Sequence, residues 1–262
     1  MDADRDRHAA SARSGAAPDR PTEDRERPTE DRERLAGDHE RLAEEVDADA
    51  GARGALYALV ARTFTEPGDD LYEALAAGEV TGEFEALLDR TSLDVAPPDA
   101  TVDDDHETLS ARFNDLFVVG YSEVIDRTDG TVDHQGPPVS LYESAYRPEV
   151  SWNDVNLDLA RAYEHFGVQV DQDQRRNHDH IRLQLEFMGY LCRREAAVDP
   201  DVAAARLDFH DRHLRVVTEG VADALAGEPG TGLYGELAAF LDRFTAADVD
   251  DLDARLSGGG SA

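Results

Sequence analysis

The 262-residue chain is 40% apolar, enough to fill the core of one sizeable domain or two small ones. It carries 58 acidic against 26 basic residues, a formal charge of −32, and every basic residue is arginine. A field of that sign repels phosphate backbones and offers no basic stripe for counterion release, which excludes nucleic-acid binding.

The opening stretch MDADRDRHAASARSG has no apolar h-region, and nowhere does an uninterrupted apolar run approach the ~20 residues needed to span a bilayer. The expectation is a cytoplasmic protein. Acidic residues are spread along the whole chain, as in a surface kept hydrated by carboxylates in salt-rich surroundings; capture of a basic partner is the competing explanation. Residues 20–33 are two copies of the heptad RPTEDRE, but each copy holds a proline and lacks apolar a and d positions, so no coiled coil follows. Residues 1–49 are expected to be a disordered charged tail, with at most a frayed helix near DHERLAEEV.

Order is expected from residue 50 to about residue 247. In ARGALYALVARTF, Leu56, Leu59, Val60 and Phe64 recur at the spacing of one helical face. DDLYEALAAG and TGEFEALLDR predict short helices with acidic first turns. In DDDHETLSARFNDLFVVG, Leu109, Phe113, Leu116 and Phe117 form one apolar stripe, which predicts a helix whose aromatic face packs the core. Residues 120–150 then lack helical periodicity and carry Gly, Pro and Asp-Gly turn signals; a loop this long inside a compact domain points to function.

Helical patterns resume at SWNDVNLDLARAYEHFG, continue through 177–195, DPDVAAARLDFHDRHLRVVTEGVADALAG and TGLYGELAAFLDRFTAAD, and make the fold all-α, with roughly eight helices around a long central loop. Asp199 with Pro200 reads as a helix start. Residues 248–262, ending in SGGGSA, read as a flexible tail.

The stretch NHDHIRLQLEFMGYLCRRE holds the strongest chemistry. Ile181, Leu185, Met188 and Cys192 line one face, and Leu183, Phe187 and Leu191 cover much of the rest, which describes a buried central helix. His178 and His180 would point in nearly opposite directions on a helix, at about 100° per residue, and would not chelate one ion together. His210 and His213 have i, i+3 spacing without a matching ligand motif. Asp179 reads as a helix cap, with His180 bonded to loop backbone; a partner contact and, further off, a metal site remain open. Glu186 is a candidate buried carboxylate. Cys192 stands alone, so no intramolecular disulfide forms, and its apolar surroundings describe an inert thiol. No nucleophile elbow, phosphate loop or dinucleotide fingerprint occurs, and neither Arg175-Arg176 nor Arg193-Arg194 precedes the apolar segment of an export signal.

Three segments in order carry a resemblance: FNDLFVVG at 113–120, PPVSLYESAY at 137–146 and DHIRLQLEFMGYLCRRE at 179–195, with RHLRVV at 212–217 matching more weakly. Together they resemble the TorD/DmsD family of cytoplasmic chaperones for molybdopterin oxidoreductases, with NarJ as a distant relative. Leu141 stands where that family usually has proline, and Asn177-His178 replaces its usual Glu-Pro. The acid-rich, lysine-free composition resembles that of haloarchaeal proteins.

The resemblance implies a protein without catalysis or a cofactor of its own. Its partner would be the precursor of a molybdopterin oxidoreductase catalytic subunit, held by its twin-arginine signal peptide until cofactor is loaded. The implied client is a dimethyl sulfoxide or trimethylamine N-oxide reductase first and a nitrate reductase second. By position, Tyr142, Glu143, Tyr146, Asp179 and His180 are the expected client-binding region, while Phe113, Leu116, Phe117, Glu186 and Phe187 belong to the motif core. Monomer and dimer stay open, as does, from another class, a small all-α hydrolase using His180 with a metal or Glu186.

Overall fold

In the computed structural model, residues 47–120, 122–126, 131–134, 136–170, 177–197 and 202–258 are described. The RPTEDRE repeats, the Asp199-Pro200 start and the last four residues lie outside them. So does most of the charged N-terminal segment.

Nine α-helical segments occur among the described residues: α1 (Ala48–Thr63), α2 (Asp69–Ala76), α3 (Glu79–Leu88), α4 (His106–Phe117), α5 (Trp152–His165), α6 (Ile181–Ala197), α7 (Val202–Phe209), α8 (Arg215–Gly227) and α9 (Leu233–Gly258). A π turn, His210–Leu214, joins α7 to α8 without a break in right-handed helical backbone, so eight separate helices remain. The fold is all-α as the periodicity implied.

Three expectations change. The 120–150 segment is not wholly irregular: Ser122–Asp126 (β1) and Thr131–His134 (β2) pair antiparallel, with Val124 opposite Val132 and a register shift between Val124 and Asp126. β-branched residues favour such pairing, but runs of four and five residues are too short to announce alternation. The helical region also begins before residue 50, because Asp47 caps α1 by accepting from Asp49 N and Ala50 N at 3.0 and 3.1 Å. Finally, residues 248–258 are not a flexible tail; α9 runs on to Gly258 because Asp248 and Leu252 are buried along it.

The core is organised on α1 and α6, which share the most extensive helix contact. Gly54 and Gly189 allow it: a Cβ at Gly189 would lie 2.8 Å from Gly54 O, and one at Gly54 would lie 2.9 Å from Gly189 O. Arg193 Nη1 donates to Gly54 O at 3.4 Å across the same crossing. Cys192 is buried beside it, and burial pushes its thiol up to about 12.

A buried ion cluster joins α1, α6, α7 and α9. Arg206 donates to both oxygens of Asp248 at 2.7 Å and also pairs with Glu195. Arg53 reaches Asp248 Oδ1 at 3.0 Å, and Tyr57 donates its hydroxyl to Asp248 Oδ2 at 2.7 Å. Burial works against the charge on Asp248, but Arg206, Tyr57 and Arg53 outweigh it and hold the carboxyl below its usual range.

The aromatic stripe of α4 is core, as its spacing implied. Phe113 and Phe117 both pack edgewise on Tyr234, and Phe117 also meets Phe64. Leu116 is buried beside them and, through its carbonyl, accepts from Val139 N at 3.0 Å, which anchors the far end of the long loop to α4.

Candidate functional site

Beyond the hairpin the loop passes Pro137 and bends at Pro138 and Val139. Val139 and Leu141 are buried while Ser140 and Tyr142 are only partly so, the period-two alternation of a strand. That strand-like piece lies against the residues preceding α6. Tyr142 pairs with His180 antiparallel, Ile181 N donates to Leu141 O at 2.8 Å, and Glu143 N donates to Asp179 O at 2.9 Å. The loop then closes into a 3-10 turn, Glu143–Tyr146.

This pairing changes the role of Asp179. The cap of α6 is His180: its carbonyl accepts from Leu183 N and Gln184 N, and its Nδ1 accepts from Arg182 N at 3.1 Å. With Nδ1 accepting, a neutral ring carries its proton on Nε2. Asp179 instead turns back to the loop, where Oδ2 accepts from Ser144 N at 3.2 Å, while its own N donates to Asn156 Oδ1 on α5 at 3.3 Å. Asp179 is 0% exposed, and its Oδ1 has no hydrogen-bond partner among the described residues.

Glu143 is also 0% exposed and draws three elements together. Gln184 on α6 donates to its Oε2 at 2.8 Å, and His213 on the π turn places Nδ1 3.2 Å from both carboxylate oxygens. Arg147 Nε lies 2.6 Å from Oε1 as an ion pair. His213 presents its other nitrogen, Nε2, to Asp158 on α5 at 3.3 Å, and Arg212 pairs with the same carboxylate. Arg147 also donates to Arg212 O. A π turn advances the chain by an extra residue within the helix; here it carries Arg212 and His213 to the two carboxylates.

The five residues expected to bind a client therefore gather around one junction, but not all at the surface. Tyr142 and Tyr146 are half-buried. The Tyr142 ring meets His180 edge to face at 4.9 Å. Tyr146 donates its hydroxyl to Ser140 O at 2.7 Å and lays its ring on Gly220, where a Cβ would clash at 2.4 Å. Burial raises that phenol to about 12. Glu143, Asp179 and His180 are buried and hold the loop in place.

Glu186 is not a buried carboxylate. Its side chain is 44% exposed and accepts from Arg182 Nε at 2.7 Å on the outside of α6. The polar residue this end of the helix buries is Gln184, two positions earlier and so about 200° round the helix. Phe187 is buried as expected, packed on Tyr163 and Phe209. Sequence reasoning passed over Gln184, His213, Asn156 and Arg147; only His213 was signalled, by its spacing from His210. Among the described residues no group of three or more His, Cys, Asp or Glu is arranged to hold a metal ion, and no helix is long and apolar enough to cross a membrane.

Two cavities adjoin the junction. One of about 270 Å³ lies between the loop, α5 and the π turn, with Glu143, Arg147, Val150, Leu157, Asp158 and His213 on its walls. The other, of about 320 Å³, is walled by α5, α6, α7 and the π turn, including Ala162, Phe166, Phe187, Ala205 and Phe209.

Comparison with known proteins places this region within a family. The model of the nitrate reductase delta subunit family matches residues 73–216, more than half of the chain, which takes in the long loop, α5, α6 and the π turn. The selenate reductase assembly chaperone protein of Thauera selenatis is 35% identical over 116 residues, 42% of this chain and 53% of that protein. The chlorate reductase assembly chaperone protein of Ideonella dechloratans is 37% identical over 115 residues, 41% of this chain and 52% of that one. The perchlorate reductase assembly chaperone protein of Dechloromonas aromatica is 25% identical over 122 residues, 44% and 54%. The chain thus spans about half the length of these relatives. A crystal structure from Archaeoglobus fulgidus, described as a redox enzyme maturation protein, superposes with a TM-score of 0.45 at 19% identity, covering 74% of this chain and 93% of that one.

Proposed function

The chain belongs to the nitrate reductase delta subunit family, and on that premise we propose that it is an assembly chaperone, not an enzyme. It holds the apo form of a molybdoenzyme's catalytic subunit until the molybdenum cofactor is inserted. The relatives that support this reading are named for assembling selenate, chlorate and perchlorate reductases. All three substrates are oxyanions, so the client proposed here is an oxyanion reductase, in preference to a dimethyl sulfoxide or trimethylamine N-oxide reductase.

The observation that carries the site assignment is the buried junction of Glu143 and Asp179. A carboxylate with 0% exposure and one oxygen without a donor costs stability. Such a group is better supported by a role in holding the loop for a partner than by a role in folding. In this reading Tyr142 and Tyr146 touch the client, and Glu143, Asp179 and His180 position the loop that presents them. The bound segment is the precursor's twin-arginine leader, whose cations suit a chain of formal charge −32. The site of action is the cytoplasm, and the acid-dense surface suits one rich in salt.

The test is calorimetric titration of the full chain with the leader peptide of an oxyanion reductase precursor, and with the same peptide after both arginines become alanine. Binding of the first and loss of about tenfold or more with the second is expected. Equal affinity would reject recognition of the leader by its arginines.

A further inference from the structure

The π turn sets the register of the helix that follows it. Arg215 N donates to His210 O, five residues back, where an α turn would use the fourth. Upstream, α7 is fixed by Arg206, which is buried against Asp248 and Glu195. Downstream, every side-chain hydrogen bond of α8 among the described residues stays inside the helix: Thr218 to Arg215 O, and Arg215 to Glu219. Closing the π turn to an α turn would therefore move α8, turning it by about 100° and advancing it by one residue's rise. Each of its residues would take the place now held by the next.

The sequence of α8, RVVTEGVADALAG, accepts both registers. It carries the doublets Val216-Val217, Gly220-Val221 and Ala224-Leu225 at i, i+4 and i+8. The second member of each is buried and the first is half-buried. The advanced register would bury Val216, Gly220 and Ala224 in their place, so no charge enters the core. Glycine and alanine fill that space less well than valine and leucine, which favours the π register. The π turn is itself the rarer backbone form, which favours the other.

The long loop adds the contacts that select between them. Tyr146 lays its ring on Gly220, where a Cβ would lie 2.4 Å from it. In the advanced register Glu219 would occupy that place, and its side chain excludes the ring. The same stretch of loop also grips the π turn directly, through Glu143 on His213 Nδ1 at 3.2 Å and through Arg147 on Arg212 O. The docked loop thus fits one register only.

We propose that the loop and the π turn form a two-position latch. Docked Tyr146 goes with the π turn; release of Tyr146 lets residues 210–214 close to an α turn and α8 advance by one residue. Coupling between distant places needs an element with two discrete arrangements that both places bias, and α8 is that element. Through it an event at the loop reaches α9, on which α8 packs. The latch goes beyond the chaperone reading and needs no client; on that reading it passes the state of the client-facing tyrosines to the rest of the fold.

The test uses the full chain with one added thiol, Ala224→Cys or Leu225→Cys, labelled with iodoacetamide at pH 8 and located by peptide mass mapping. Buried Cys192 serves as the internal measure of unfolding. With the loop intact, the thiol at position 224 should label faster than the one at 225, as the present burial of the two residues requires. Adding Tyr146→Ala should invert that order: labelling at 225 rises about tenfold or more, labelling at 224 falls, and Cys192 stays protected. Gly220→Ala, which sets a methyl under the ring, should do the same from the helix side. Tyr146→Phe keeps the ring and should leave the order unchanged. Should Leu225→Cys fold poorly, Val221→Cys reads the same shift one turn earlier. A rise at both positions, which is loosening without a change of register, overturns the latch. So does no change at either. None of these measurements uses a client, so their failure leaves the assembly function standing, and absence of precursor binding leaves the register result standing.

Discussion

Gln184 donates its side-chain amide to the Glu143 carboxylate at 2.8 Å, across 41 residues of sequence and with both residues 0% exposed. The bond ties the loop's 3-10 turn to the middle of the first turns of α6, and His213 completes the enclosure from the π turn. The loop is thereby part of the folded body at this point, while its neighbours Tyr142 and Tyr146 keep partial access to solvent.

Removing the carboxylate with Glu143→Ala leaves Gln184, Arg147 and His213 facing an empty acceptor. Breaking a buried charged contact on one side costs about 3–5 kcal/mol, so urea unfolding should show a loss of that order. Glu143→Gln, which keeps the shape and one acceptor, should lose less. A double-mutant cycle with Gln184→Ala should return a coupling of about 1 kcal/mol or more.

The α1–α6 crossing depends on two glycines. Gly189→Ala drives a methyl into Gly54 O and should cost about 1–3 kcal/mol through forced separation of the helices. Gly51→Ala, with nothing within 4 Å of its Cβ, should instead raise the melting temperature, since alanine is favoured over glycine in a helix by about 1 kcal/mol.

Acid should unfold the protein through Asp248. Its folded-state carboxyl is held below the usual range by Arg206, Tyr57 and Arg53 in spite of burial. The unfolded chain therefore takes up the proton first as pH falls. The stabilisation is complete above the ordinary carboxylate range of about 4 and is lost as pH drops through the lowered folded value. Asp248→Asn should unfold more easily at pH 7 and show a shallower decline of stability below about pH 4, measured by thermal melts across pH.

Cys192 reports on the integrity of the same core. Buried and raised to about 12, its thiol is almost wholly protonated at pH 8. Iodoacetamide at that pH should label it only at the rate of unfolding, and Gly189→Ala should speed the labelling in proportion to its destabilisation. Rapid labelling of the native protein would contradict the buried placement.

Much of the helical framework was legible because its signals are local. Leu56, Leu59, Val60 and Phe64, or Leu109, Phe113, Leu116 and Phe117, declare a face within two turns, and all eight are buried. The site was legible in membership but not in roles. Asp179 stands where a cap is expected, yet the pairing of Tyr142 with His180 moves the cap on by one residue and turns Asp179 to Ser144. Glu186 and Gln184 lie on opposite sides of a helix that is apolar nearly all round, so hydrophobic periodicity alone did not fix which one faces inward. The contacts of Glu143 with His213 and of Arg53 with Asp248 span 70 and 195 residues, and a single sequence carries no sign of pairs so distant. The π turn has no periodic signature of its own, and α9 outran the expected boundary because Asp248, the first residue of the expected tail, is buried against Arg53 and Arg206.

The central claim is that the chain holds an immature client and performs no chemistry on it. Titrating the full chain into the catalytic subunit of an oxyanion reductase, once as cofactor-free precursor and once as mature holoenzyme, addresses that claim directly. Stoichiometric binding to the precursor, weakened about tenfold by Asp179→Asn and absent with the mature enzyme, is the predicted result. Equal binding to both forms, or none to the precursor, would contradict it.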